Sequence, residues 1–127
     1  MSNHRLVWLL GRLVLACLVF TMLLSGGPKT ALAATVSMGL GNDEGFLVFK
    51  PEQLTINAGD TVSFEMRGLG PHNLIVAGHP EWSHEPLSFA LGESWEQKFD
   101  MPGRYAIWCE PHRAAGMTAE INVLALG

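Results

Sequence analysis

Downstream of residue 34 the chain switches between apolar and polar positions in short bursts, broken by Gly, Pro, Asn and Asp. TVSM, FLVFK, LTIN, TVSFEM, NLIVA, SWEQKF, RYAIWC and TAEINVLAL each have strand length, β-branched or aromatic content and partial alternation. About eight such segments in one short chain predict an all-β, two-sheet sandwich. In RYAIWC the alternation puts Tyr105, Ile107 and Cys109 on the inner face and Arg104, Ala106 and Trp108 on the outer one. NAGD at 57–60 and DMPG at 100–103 have the residue types that reverse a chain. The stretch 78–93, GHPEWSHEPLSFALGE, has no clear strand pattern and is expected to be a loop with one helical turn.

The start of the chain follows a different pattern. His4, Arg5 and Arg12 precede the apolar run LVLACLVFTMLL, and small residues at Ala31 and Ala33 follow it. That order predicts an export leader over 1–33, cut before Ala34, and one domain over 34–127. An uncleaved anchor is the rival, but Arg12 interrupts the apolar stretch and a cleavage pattern follows it. Cys17 after VLA weakly resembles a lipid-attachment site, yet apolar residues continue past it. No Arg-Arg pair is present, which favours export of an unfolded chain and metal loading afterwards.

Composition then narrows the function. Of the 8 Lys and Arg residues, Arg5, Arg12 and Lys29 fall in the leader, so the domain has five basic residues against 12 acidic ones, a net charge of about −7. Nucleic acid and anionic lipid are poor partners for such a surface. Of the 2 cysteines only Cys109 lies in the domain, so no internal disulfide is available.

CEPHRAAGM, residues 109–117, places a thiol, an imidazole and a thioether in the pattern Cys-x2-His-x4-Met. A loop leaving a strand at Cys109 and re-entering one near Thr118 can turn all three donors to one point. Soft sulfur ligands with imidazole suit one copper ion cycling between Cu(I) and Cu(II), in a His, His, Cys site with a weak axial Met. Such a site requires a second histidine, and His72 in GLGPHNLIV, at the mouth of a strand after a Gly/Pro turn, is the candidate. Zinc would accept one Cys and two His, but a thioether is a strange fourth partner. A multicopper enzyme needs more histidines than His72, His79, His84 and His112, and a copper store would show several Met or Cys donors in a flexible segment.

PHNLIV, YAIWCEPHRAAGM and NDEGFLVFKPEQLTINAGDTVSF together resemble the plastocyanins, the blue-copper electron carriers of photosynthetic membranes, and CEPHR is similar to their cyanobacterial branch. The resemblance covers nearly all of 34–127. It implies a cupredoxin-like Greek-key sandwich and copper ligation by His72, Cys109, His112 and Met117. It also implies a soluble, non-enzymatic, monomeric carrier in the thylakoid lumen, taking electrons from cytochrome f of the cytochrome b6f complex and giving them to photosystem I. Asn73 is the candidate for tying the two ligand segments together. Leu47, Gly70, Pro71, Pro111, Ala114 and Ala115 match the apolar docking patch around His112, Arg113 matches a docking arginine, and Trp108 stands where the family usually has tyrosine. The 78–93 stretch is shorter than usual and brings His79, Trp82 and His84, while Ala114 and Ala119 stand where glycine is common. The alternative is a bacterial periplasmic cupredoxin of amicyanin or pseudoazurin type, serving another redox enzyme.

Overall fold

The computed structural model describes residues 31–127, so the expected leader, Cys17 included, lies outside the described residues except for positions 31–33. Among the described residues nine strands form two sheets: β1 (Thr35–Leu40), β2 (Phe49–Lys50), β3 (Gln53–Asn57), β4 (Thr61–Met66), β5 (His72–Val76), β6 (His84–Ser88), β7 (Ser94–Lys98), β8 (Gly103–Trp108) and β9 (Thr118–Leu124). One sheet has the order β2-β1-β4-β7 and the other β3-β9-β8-β5-β6. The chain crosses between sheets repeatedly, and β1 with β4 and β3 with β9 pair in parallel, the signature of a Greek-key sandwich rather than a meander.

Period-two patterning sets which side is filled. In β3 Leu54 and Ile56 are buried between exposed neighbours, and in β4 Val62, Phe64 and Met66 all point inward. Met38, Leu40 and Phe49 complete that inner face, and Leu74, Val76, Ile107, Ile121 and Val123 supply the opposing one. Each side chain of this size contributes about 1.5–3 kcal/mol when fully buried. β8 follows the alternation read from its sequence: Tyr105, Ile107 and Cys109 are buried, while Arg104 and Ala106 are exposed and Trp108 half-buried.

The stretch 78–93 corrects the sequence reading. It contains a short 3-10 turn, Pro80–Trp82, and then the edge strand β6. The alternation is hidden because Glu85, Pro86 and Leu87 are all exposed and the pairing with β5 shifts register between His72 and Leu74. Pro86 is tolerated because an edge strand has one unpaired side. Trp82 turns inward, meeting Phe99 at 5.2 Å and Tyr105 at 5.0 Å between ring centroids, with His79 stacked on it at 4.2 Å. His84 on β6 stacks on Trp95 of β7 at 4.1 Å, joining the edges of the two sheets. Among the described residues no helix is long and apolar enough to cross a membrane.

Candidate metal centre

Strand directions bring His72 and Cys109 to the same end of the sandwich. β5 begins at His72, β8 ends beside Cys109, and the two run antiparallel with Ile75 opposite Trp108. Beyond Cys109 the chain makes a 3-10 turn over Glu110–Ala115, reverses at Gly116 (φ 88°) and enters β9 at Thr118. Backbone bonds close this loop: Cys109 N–H donates to the Met117 carbonyl (3.1 Å), and His112 N–H to that of Cys109 (3.2 Å). Met117 N–H donates to the His112 carbonyl at 3.2 Å. The three donor-bearing residues are thus tied to one another through the main chain.

The side chains converge. Cys109 Sγ lies 3.6 Å from His72 Nδ1 and 3.5 Å from His112 Nδ1, and the two nitrogens are 3.2 Å apart. A point equidistant from the three atoms lies about 2.0 Å from each, the usual metal–imidazole distance and slightly inside the ~2.3 Å of metal–thiolate bonds. Converging lone pairs at this spacing are what a cation relieves, and a sulfur with two imidazoles suits copper. His72 and Cys109 are wholly buried and His112 is half-buried, so one imidazole edge approaches solvent. Met117 is also wholly buried and sits at the closing end of the same loop.

Electrostatics follow from burial. Desolvation, reinforced by His112, lowers the His72 pKa, so the ring is neutral and ready to donate a lone pair at neutral pH. Desolvation raises the Cys109 thiol, partly offset by the backbone N–H groups of Asn73 and His112. A bound cation reverses that balance and holds the thiolate.

Surrounding residues fix the rings. Asn73 Oδ1 accepts the Glu110 N–H at 2.8 Å and its Nδ2 donates to the Glu85 carbonyl at 3.1 Å, so one buried amide joins β5, β6 and the ligand loop. Behind His72, Gly41 (φ +73°) and Gly68 let two loop backbones meet: a Cβ on Gly41 would lie 2.7 Å from Gly68 Cα and 3.2 Å from His72 Nε2. Nothing in the sequence reading singled out this glycine pair, although GLGN and RGLGPH carry the signal.

At the surface, Pro111, Arg113, Ala114 and Ala115 are exposed, while Leu47, Gly70, Pro71 and Trp108 are half-buried. Leu47 packs against the core. Phe46 (62%) and Leu69 (78%) are among the large exposed apolar groups, and sequence reasoning passed over both. His79 and His84 are engaged elsewhere, with Trp82 and Trp95, and are not part of the cluster.

Comparison with known proteins agrees with this geometry. Residues 35–124 match the copper-binding proteins of the plastocyanin/azurin family. The plastocyanin of Prochlorothrix hollandica is 42% identical over 109 residues, covering 81% of this chain and 82% of that one. The plastocyanin of Nostoc punctiforme is 37% identical over 107 residues, covering 74% and 77%. Among solved structures, oxidised plastocyanin from the fern Dryopteris crassirhizoma superposes with a TM-score of 0.64 at 27% identity, over 70% of this chain and all of that one.

Proposed function

From its membership of the plastocyanin/azurin family of copper-binding proteins, to which this chain belongs, we propose that this blue-copper electron carrier takes electrons from cytochrome f of the cytochrome b6f complex and passes them to photosystem I. The observation that carries the reading is the Nδ1, Sγ, Nδ1 triangle at one end of the sandwich, in a chain similar to plastocyanins over 69–81% of its length. Copper, when bound, supplies one-electron Cu(I)/Cu(II) chemistry. His72, Cys109 and His112 would hold it, with Met117 as the fourth, weaker donor.

The protein's task is to keep its ligands still. The closed Cys109-to-Met117 loop, the Asn73 amide and the glycines behind His72 each remove a way for a ligand to move, which limits rearrangement when the charge changes. His112 is the half-buried ligand and therefore the route to a partner. Pro111, Ala114 and Ala115 beside it, with Leu47, Gly70 and Pro71 on adjoining loops, form a surface of small and apolar groups that permits close approach. Arg113 and Trp108 flank it. The carrier acts as a monomer in the thylakoid lumen after removal of the leader, with no catalytic group of its own.

Flash-induced electron transfer from the reduced, copper-loaded domain to photosystem I tests the reading. Rapid, saturable re-reduction that slows with Arg113→Gln and disappears with Cys109→Ser supports it. A protein with an intact thiolate–copper absorption band that reacts only at a collisional rate would sink the photosynthetic role and point to a periplasmic partner instead.

A further inference from the structure

Asp60 is a buried acid that the copper site does not use. It is 5% exposed, and among the described residues no Lys, Arg or His pairs with it. Its two carboxylate oxygens are taken by main-chain donors: Oδ2 accepts the Asn57 N–H at 2.8 Å and Oδ1 the Ala34 N–H at 2.8 Å. The carboxylate is thus held by main-chain donors alone. The Ala34 contact is the unusual one, because it reaches the edge of the folded domain.

Ala34 is where ordered pairing begins. Its carbonyl accepts the Thr61 N–H at 2.9 Å, and β1 starts at the next residue. Residues 31–34 have no regular structure and all are exposed, Leu32 at 92%. A cut one bond later would delete the Ala34 carbonyl and leave the Thr61 N–H unpaired. A cut one bond earlier would leave a neutral amide facing Asp60 and put the new charge in solvent.

We propose that the Ala33–Ala34 bond is the processing site and that Asp60 is the receptor for the α-ammonium group that cleavage creates. Hydrolysis by a peptidase adds water across the amide: hydroxyl goes to the Ala33 carbonyl carbon, and Ala34 nitrogen gains hydrogen and a solvent proton. The atom already 2.8 Å from Asp60 Oδ1 thus becomes a cation in place, and a neutral hydrogen bond becomes a charge-assisted one. The two main-chain donors, Ala34 first and Asn57 second, keep the Asp60 carboxyl below the ordinary range, so it is ionised when the charge appears. Cutting therefore stabilises the domain at the bond that releases it.

Intact mass of the full chain after export from a host with a leader peptidase reads the cut directly, with a start at Ala34 expected. Because Leu32–Gly127 forms a compact unit, chains starting at Ala34 and at Ala33 are then compared with and without Asp60→Asn. D60N is expected to raise the unfolding constant about tenfold more in the Ala34 chain than in the Ala33 chain. Acylation of the α-amino group at neutral pH is expected to be slower in the Ala34 chain, with the difference abolished by D60N. A start elsewhere, an equal effect of D60N in both chains, or equal acylation rates overturns the proposal. If D60N does not fold, acylation of the two unsubstituted chains decides it.

Discussion

The guanidinium of Arg113 lies over the ring of Trp108, 4.1 Å from its centroid. This contact joins the ligand loop to the outer face of β8 and fixes a flexible cation on the residue that follows the half-buried His112. Such a pair is worth about 0.5–1 kcal/mol when exposed, enough to favour one orientation. We predict that Trp108→Leu lowers the association rate with photosystem I several-fold, that Trp108→Phe largely retains it, and that both leave the reduction potential unchanged. A rate unaffected by Trp108→Leu but slowed by Arg113→Gln would show that the indole does not position the arginine.

Gly41→Ala tests the support behind His72. At φ +73° a side chain is strained, and its Cβ would meet Gly68 Cα at 2.7 Å. The expected cost is about 1–3 kcal/mol of stability. The copper absorption and paramagnetic spectra should shift as well, because the displaced loop presses on the imidazole. Chemical denaturation of the metal-free and metal-loaded forms, with their spectra, measures both.

Removal of the Asn73 amide should loosen the ligands without touching them. Asn73→Ala removes the partner of the Glu110 N–H and of the Glu85 carbonyl, at about 0.5–1.5 kcal/mol for each bond. Copper affinity is expected to fall about 10–100-fold, the range for losing a group that orients a ligand. Competition with a chelator reads that loss, and unchanged affinity would confine Asn73 to the fold.

Acid sensitivity should centre on Asp60. Its folded pKa is depressed, so its stabilisation is fully present above the unfolded value of about 3.9 and is lost as pH falls through the folded one. The stability gap between the unsubstituted chain and Asp60→Asn is therefore expected to be constant near neutrality and to close below about pH 4. Denaturation midpoints collected from pH 7 to pH 3 check this. A gap that widens on acidification would reverse the sign.

Periodicity made β3, β4 and β8 readable, since each has one face in the core and one in solvent. It failed at β6, where an edge strand exposes three residues in a row, and it could not show that β2 is only two residues long. The metal-binding loop was legible because Cys109, His112 and Met117 are local in sequence. His72 was placed by a motif, but its distance to Cys109 depends on the pairing of β5 with β8. The Arg113–Trp108 contact and the exposure of Phe46 and Leu69 arise from how separate loops meet, and no local pattern encodes them; GLGN and RGLGPH mark the two glycines but not that they meet.

His72 and Cys109 are separated by 37 positions along the chain, yet they face each other across 3.6 Å. A metal held by both is a cross-link. It closes a large loop in a domain whose single cysteine rules out an internal disulfide, and a permanent bond across such a loop is worth roughly 4 kcal/mol on chain-entropy grounds. Three of the proposed ligands lie within one nine-residue stretch, and only His72 has to be brought to them by the sheet. Holding His72 as well would require the pairing of β5 and β8, so a bound copper would also staple the domain, and its removal would open that cross-link.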